Sequence, residues 1–228
     1  MPPMLPVTAE AAREILAGLY DISGAAVEIA ALPGEHDSNF RVTTADGGRY
    51  VLKVHPPTAT AGDLDLQNRA LRHLASEDPA LPVPCPVPAA TGGADEGIAR
   101  VTLDGTERAV RLLTWLPGRP WASFDVAGAA DSVRGPATFA SLGRFLARMD
   151  RAFASFEHPR MRRPHRWAMR SAADLRARLG LVADPARELA GRVLARFAAE
   201  VLPLLDTCPA QVIHGDASDH NVLVGEDG

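Results

Sequence analysis

In several short runs between residues 25 and 114, apolar side chains recur at about every second position, which is the period of a half-buried β-strand. Asp-Gly and Gly-Gly pairs interrupt these runs, and such pairs supply the positive φ of tight hairpin turns. In RYVLKVH (49–55) the alternation places Lys53 in mid-strand, on the face opposite Leu52. The pattern predicts strands over 25–32, 38–44 and 49–55, a hairpin at ADGG (45–48) and a second hairpin about Asp104-Gly105.

Helical periodicity marks other segments of the chain. Thr8 is placed to cap a first helix, which Gly24 ends. Residues 63–76 carry apolar side chains at helical spacing and form an amphipathic helix that also includes Gln67 on its apolar face. Further helices are predicted over 141–156 and 186–205, an extended connector at the proline-rich 81–88, and strand-like runs at QVIH (211–214) and NVLV (221–224).

Strands and helices are therefore segregated along the chain. This order favours an α+β protein with two lobes over a parallel α/β sheet. We predict an N-terminal lobe of residues 1–116, built on an antiparallel sheet with helix 63–76, and a partial helical C-terminal lobe of residues 117–228. The two would be joined at LTWLPGRP (113–120).

Composition narrows the class of protein. The chain has 228 residues, 46% of them hydrophobic and 23% charged, and a net charge of −4, so it lacks the basic field of a nucleic-acid-binding protein. Its two cysteines, Cys85 and Cys208, have neither disulfide-framework nor zinc-site spacing. Neither a signal peptide nor an apolar run of roughly 20 residues is visible. We expect a soluble, cytoplasmic protein that binds neither nucleic acid nor membrane.

The densest polar cluster is HGDASDHN, residues 214–221. It admits a metal cage, although no second histidine cluster accompanies it, and a Ser/His/Asp hydrolase, although triad members usually come from separate segments. It also admits a polar turn whose side chains bond to local backbone. A fourth interpretation rests on spacing: His214, Asp216 and Asn221 match the H-x-D-x-x-x-x-N pattern of a kinase catalytic loop.

The kinase interpretation has a chemical reason and distant partners. Attack on a γ-phosphate needs a carboxylate that orients the acceptor hydroxyl and takes its proton, together with a nearby oxygen ligand for Mg²⁺. It also predicts a lysine in mid-strand of an N-terminal antiparallel sheet, a helix after that strand, and a short connector between the lobes. Lys53, residues 63–76 and residues 112–118 supply these features in the correct order.

With these residues in place, the sequence resembles the aminoglycoside phosphotransferase / choline kinase-like family of small-molecule kinases with a protein-kinase-like fold. HGD followed by HNVLV is similar to the catalytic loop of that family. SNFRV, GGRYVLKV and LDLQNRALRHL most resemble its hydroxylysine kinase-like branch, which includes kinase modules fused to further domains.

The resemblance implies a role for each matching position. Asp216 would be the catalytic base and Asn221 a Mg²⁺ ligand, while His214 would shape the loop. The implied nucleotide-contacting positions are Lys53 and its helix partner Gln67, Ser38 and Asn39 in the phosphate-covering turn, and the adenine hinge Thr114, Trp115 and Leu116. The implied function is transfer of the γ-phosphate of ATP, with Mg²⁺, to a hydroxyl of a small amine-bearing acceptor such as hydroxylysine, an amino alcohol or an aminoglycoside.

The sequence departs from the family pattern at three places. PGEHDSNF stands where a glycine-rich loop is expected, and Gln67 stands where a glutamate usually pairs with the lysine, with Asp63 as a substitute. The chain also ends before the strand that carries the second metal ligand. The alternative function is therefore a truncated kinase-fold module that binds nucleotide weakly or serves in regulation. The missing packing partners also predict exposed apolar surface over 193–224, and further C-terminal sequence could be fused to or associated with this chain.

Overall fold

The computed structural model describes residues 7–22, 26–90, 97–124, 135–163, 165 and 167–225. The chain forms two compact units. The first comprises Met1–Phe156 together with Asp216–Gly228, and the second comprises Glu157–Gly215. The predicted lobe boundary at residue 116 stays a prediction.

The first unit is built on a six-stranded antiparallel sheet. Its strands follow the order β1-β2-β3-β6-β4, and β5 pairs with the remaining length of β6. The strands are β1 (Ala26–Leu32), β2 (Ser38–Thr44), β3 (Arg49–Val54), β4 (Pro86–Val87), β5 (Ala99–Leu103) and β6 (Thr106–Thr114). The α+β class and the strands predicted at the start of the chain are confirmed.

Both predicted hairpins are present. Gly47 has φ +84° in the turn between β2 and β3. The N–H of Thr44 donates a hydrogen bond to the carbonyl of Gly48 at 2.9 Å, which closes that turn. Asp104 and Gly105 have φ of +49° and +73°, the left-handed pair that a two-residue hairpin requires. The connector predicted at 81–88 contains a short strand, β4. It sits at the edge of the sheet, where proline is tolerated.

One face of the sheet carries the main apolar core. Its inward residues, among them Val42, Leu52 and Leu112, are 0% exposed and pack against helix α1 (Ala9–Leu19). Thr8 caps this helix as predicted, since its side-chain oxygen accepts a hydrogen bond from the N–H of Ala11 at 3.2 Å. Gly24, predicted to end the helix, lies outside the described residues.

The opposite face of the sheet is covered by helix α2 (Ala61–Glu77), close to the predicted span of 63–76. Leu64 of α2 forms a small apolar cluster with Ile98 and Ala109. Beside this cluster the face is polar, because Lys53 on β3 lies opposite Arg111 on β6. The sheet therefore separates an apolar core from a buried polar layer.

Helix α3 (Pro136–Ala152), with the 3₁₀ turn Phe153–Ser155, covers the predicted helix 141–156 and begins earlier. Proline in the first turn suits a helix start, because its missing N–H would be unbonded there. Arg148 donates two hydrogen bonds to the carboxylate of Asp78 after α2, at 2.7 and 2.8 Å. His73 contacts the carbonyl of Ala152 at 2.8 Å. These contacts join α3 to the α2 side of the sheet.

The second unit is helical. It contains a long 3₁₀ segment (Met169–Leu181), helix α4 (Ala186–Arg196), a π-helical turn (Phe197–Val201) and helix α5 (Leu202–Leu205). The predicted helix 186–205 is confirmed, with a register change before Pro203, which has no N–H to donate. QVIH is not a strand. Exposed apolar side chains predicted over 193–224 are confirmed at Val193, Leu204, Ile213 and Leu223. Among the described helices, none is long and apolar enough to cross a bilayer.

Candidate active site

Lys53 is the last residue but one of β3 and lies directly opposite Asn39 of β2. Its Nζ donates hydrogen bonds to Asn39 Oδ1 at 2.9 Å and to Asp37 Oδ2 at 3.0 Å. Asn39 also donates from Nδ2 to the carbonyl of Pro33 at 3.0 Å. The side chain of Asn39 therefore ties the turn between β1 and β2 to the ammonium group of the lysine.

Within that turn, other atoms pack closely against the backbone of Gly34. A Cβ atom at this position would lie 2.4 Å from the carbonyl oxygen of Asp37 and 2.5 Å from Asn39 Nδ2. Only glycine allows such an approach without movement of the turn. Ser38 lies at the first position of β2 rather than in the turn. The loop has no G-x-G-x-x-G pattern, yet a glycine still determines its path.

Asp37 is joined to a second, more deeply buried group. His55 Nδ1 contacts Asp37 Oδ1 at 2.9 Å, and Arg111 Nε donates to His55 Nε2 at 3.0 Å. Arg111 also donates from Nη1 to Asn68 Oδ1 at 3.0 Å and from Nη2 to Gln67 Oε1 at 2.6 Å. Arg111 is 2% exposed and His55 3% exposed. A continuous set of hydrogen bonds thus runs from helix α2 to Lys53.

The electrostatics of this set follow from its burial. Burial, together with the charge of Arg111, lowers the pKa of His55 by more than its bond to Asp37 raises it, so His55 is neutral near pH 7. Burial raises the pKa of Asp37, but the hydrogen bond from His55 and the ammonium of Lys53 outweigh it, and the pKa falls well below its usual range. Burial lowers the pKa of Arg111 to about 10, which leaves it cationic. Asp37 is therefore a carboxylate that is bonded to one cation, Lys53, and to the neutral ring of His55.

The predicted pairing of Gln67 with Lys53 is wrong. Gln67 accepts a hydrogen bond from Arg111, and Lys53 takes its carboxylate partner from the β1–β2 turn. The substitute Asp63 accepts a hydrogen bond from the hydroxyl of Thr60, the capping residue of α2, at 2.7 Å. The physical reason is register: Arg111 lies beside Lys53 on the same face of the sheet and reaches α2 itself.

The hinge predicted at Thr114, Trp115 and Leu116 follows β6. The N–H of Thr114 donates to the carbonyl of Cys85 at 2.9 Å, and the N–H of Trp115 donates to the carbonyl of Arg49 at 3.2 Å. Within the described part of the chain, the N–H of Leu116 has no acceptor. Of the three amides of the predicted hinge, that of Leu116 is therefore the one whose N–H is not used in a backbone hydrogen bond of the described residues.

The loop 214–221 brings its two predicted functional side chains together. Asn221 Nδ2 donates to Asp216 Oδ2 at 2.6 Å, to the Asp216 carbonyl at 3.1 Å and to Ser218 Oγ at 3.2 Å. Gly215, with φ +76°, provides the left-handed turn before Asp216. Both Asp216 and Asn221 are exposed. A solvent-open carboxylate held by a neighbouring amide is an arrangement that can receive a hydroxyl group.

The segment after the hinge anchors this loop. Strand β7 (Arg119–Pro120) pairs with β8 (Leu223–Val224), the N–H of Trp121 donates to the carbonyl of Val222 at 2.8 Å, and the N–H of Ala122 donates to the carbonyl of Asp219 at 2.9 Å. Gly118 has φ +124°, and a Cβ there would lie 2.8 Å from the carbonyl oxygen of Val224. The chain thus crosses the end of the loop at Gly118, within the connecting segment 113–120.

The loop also contains oxygen atoms of the kind that bind a hard divalent cation. Asn221 uses its Nδ2 for the three hydrogen bonds, so its amide oxygen Oδ1 keeps both lone pairs, and the Asp216 carboxylate lies beside it. Carboxylate and amide oxygens are ligands that Mg²⁺ prefers. Within the described ranges, no group of three or more His, Cys, Asp or Glu side chains gathers into a metal site.

The hydrogen bonds thus place the predicted site residues in three groups. Lys53 is hydrogen-bonded to Asn39, and Asp216 is hydrogen-bonded to Asn221. The amides of the predicted hinge bond to neither pair, because those of Thr114 and Trp115 donate to Cys85 and Arg49. Sequence reasoning missed Asp37 and Arg111. The strand alternation gave one usable signal, since it put His55 on the same face as Lys53. Toward nucleotide and metal, the roles of all these residues stay predictions.

An antiparallel sheet with a carboxylate-paired lysine and an H-x-D-x-x-x-x-N loop define a kinase-like phosphotransferase. The chain belongs to the phosphotransferase enzyme family, whose model matches residues 28–228. The predicted resemblance is confirmed.

Similar proteins lie in the predicted branch. Hydroxylysine kinase of Mus musculus is 30% identical over 215 residues, which cover 86% of this chain and 54% of that protein. Hydroxylysine kinase of Danio rerio is 28% identical over 226 residues, which cover 94% of this chain and 59% of that protein. The chain therefore spans a little over half the length of these relatives.

Two solved structures share the fold. A complex of amicoumacin kinase hAmiN with AMP-PNP, Ca²⁺ and Ami matches 75% of this chain and 52% of its own, at 17% identity and a TM-score of 0.53. A microcompartment-associated aminopropanol kinase matches 75% of this chain and 57% of its own, at 18% identity and a TM-score of 0.50. At these identities the likeness establishes the fold alone.

Proposed function

We propose that this chain carries the nucleotide-binding sheet and catalytic loop of an ATP-dependent kinase that phosphorylates a hydroxyl group of a small amine-bearing acceptor. The observation that carries the proposal is the pairing of Asp216 with Asn221, at 2.6 Å, in a loop of the kinase pattern. Hydroxylysine is the first acceptor to test, because similar proteins of two vertebrates carry the name hydroxylysine kinase.

In the proposed reaction the acceptor hydroxyl donates a hydrogen bond to the Asp216 carboxylate. As its oxygen bonds to the γ-phosphorus, the bond from that phosphorus to the β–γ bridging oxygen breaks. The hydroxyl proton passes to Asp216, and ADP leaves with the electron pair of the broken bond. Asn221 steadies the carboxylate through Nδ2 during this step. The products are the phosphate ester and ADP, with Asp216 returning its proton to solvent.

Other residues of the chain bind and orient the nucleotide. Lys53 would donate to phosphate oxygens, and the N–H of Leu116 would donate to the adenine. Mg²⁺, for which Asn221 Oδ1 would be a ligand, would neutralise charge on the phosphates when bound. Most of the catalytic effect would then come from positioning and charge stabilisation.

An acceptor panel tests this proposal. ADP release is followed with ATP and Mg²⁺ in the presence of 5-hydroxylysine, 1-amino-2-propanol or an aminoglycoside, with lysine as the matched acceptor that lacks the hydroxyl. We expect release that depends on both Mg²⁺ and the hydroxyl. Binding of MgATP with no acceptor-dependent release would instead support the regulatory kinase-fold module.

A further inference from the structure

We propose that Asp37 takes the place of the usual helix carboxylate as the partner of Lys53, and that His55 and Arg111 are positioning residues that hold Asp37 in place. The inference rests on the proposed function for what Lys53 does, but the contacts stand by themselves. Lys53 Nζ lies 3.0 Å from Asp37 Oδ2, and His55 Nδ1 lies 2.9 Å from Asp37 Oδ1. Each carboxylate oxygen therefore has its own donor.

The chemistry of Arg111 determines the proton position on His55. A guanidinium group has donors and no acceptor, so His55 Nε2 must accept the 3.0 Å hydrogen bond from Arg111 Nε. The proton of the neutral ring is then on Nδ1 and points to Asp37 Oδ1. A doubly protonated ring would break the bond to Arg111. The structure thus assigns one tautomer of His55, and that tautomer leaves Asp37 Oδ2 for the lysine.

Arg111 is itself held from the helix side. Asn68 Oδ1 and Gln67 Oε1 of α2 accept from its two terminal nitrogens at 3.0 and 2.6 Å. Asn68 is 1% exposed, so its hydrogen bond from Arg111 is shielded from water and is strengthened by the low local dielectric. Helix α2 therefore helps to position Lys53 through the hydrogen bonds of Arg111, His55 and Asp37. This positioning does not require a carboxylate on α2.

Strand register explains why these residues meet. Asn39 lies opposite Lys53, and Lys53 lies opposite Arg111, so residues from β2, β3 and β6 share the face that α2 covers. Asp37 and His55 lie two positions further along the same face of their segments, just beyond the last paired residues of β2 and β3. Residues of the hairpin β2–β3 and of the distant strand β6 thus meet around one lysine.

The first test needs no enzymatic activity. Nitrogen-15 NMR of the imidazole rings in the full chain at pH 7 identifies the protonated nitrogen of His55. We expect protonation at Nδ1 alone. In Lys53→Met, the Nδ1–H signal should shift, because Asp37 loses its second donor, whereas the matched surface variant Glu107→Gln should leave it in place. Protonation at Nε2, an imidazolium, or a signal unmoved by Lys53→Met would overturn the network.

The second test separates positioning from general stability. In a double-mutant cycle, Asp37→Asn and Lys53→Met are each expected to lower kcat for ADP release by about 10- to 100-fold, as misplacement of a catalytic group does. The double variant should be no slower than the slower single variant. Multiplying effects would overturn the positioning role. If the wild type releases no ADP with any acceptor, the proposed function is wrong. The NMR result would still show whether Asp37 links His55 to Lys53.

Discussion

Replacing Arg111 by methionine removes the central donor of the buried polar layer with a side chain of similar length. Three acceptors then lose their donor: His55 Nε2, Asn68 Oδ1 and Gln67 Oε1. Gln67 is exposed, so water replaces the lost bond there, whereas His55 and Asn68 are buried. The variant therefore removes the Arg111 donor from two buried acceptors.

The expected cost follows from those two groups. The loss of a hydrogen bond to a buried acceptor costs about 1–3 kcal/mol, so the sum for the two acceptors is roughly 2–6 kcal/mol. Part of this loss in stability is offset, because the variant no longer has to bury the charge of Arg111, and burying a charge is itself unfavourable. We expect the free energy of unfolding to fall by about 2–4 kcal/mol. With a slope of about 2 kcal/mol per M, the urea midpoint should fall by about 1–2 M.

The assay is urea denaturation followed by tryptophan fluorescence in a Trp167→Phe background. Two of the three tryptophans, Trp115 and Trp121, belong to the first unit, so the remaining signal reports on the sheet. The control is Arg100→Met on β5, whose exposed arginine pairs with Glu107 at 2.6 Å and should be worth about 0–1 kcal/mol. Equal midpoints for the two variants would refute the importance of the buried network.

Two further predictions use the same denaturation assay. Because the pKa of His55 lies below its ordinary value in the folded state, acid favours unfolding, and wild-type stability should fall as pH drops below about 6.5. His55→Gln should flatten this slope between pH 7 and 5, whereas exposed His36→Gln should not; equal slopes would contradict neutrality of His55. Gly118→Ala should cost about 1–3 kcal/mol, because φ is +124° and its Cβ would meet the Val224 carbonyl oxygen. Gly18→Ala in α1, with open space around it, should be neutral or stabilising.

Much of the sheet could be predicted from local sequence. Period-two alternation and the Asp-Gly and Gly-Gly turns are local signals, and they predicted both hairpins and the strand that contains Lys53, although Lys53 lies near the end of that strand and not in its middle. The contact between Asp216 and Asn221 in the loop 214–221 was predictable for the same reason, since the two residues are five positions apart and bond to each other. Features that depend on a few consecutive residues can be read without a fold.

The partners of Lys53 could not be predicted in this way. Its contact with Asp37 needs the register of β2 on β3, and the link from His55 to Arg111 needs the pairing of β3 with β6, across 56 positions of sequence. Gln67 was therefore assigned to the wrong cation, because helix periodicity gives the face of a residue and not its partner. A side-chain network buried between sheet and helix is a property of the tertiary structure.

The central claim is that Asp216 is the base of a phosphoryl transfer. Its most direct test compares Mg²⁺-dependent ADP release with 5-hydroxylysine for the wild type, Asp216→Asn and Asp219→Asn. The last variant removes the same charge from the same loop, three residues away. We predict that Asp216→Asn slows release by about 10²–10⁴-fold, the usual contribution of a general base, and that Asp219→Asn stays within about threefold of the wild type. Equal rates for Asp216→Asn and the wild type, or no hydroxylysine-dependent release from the wild type, would contradict the account.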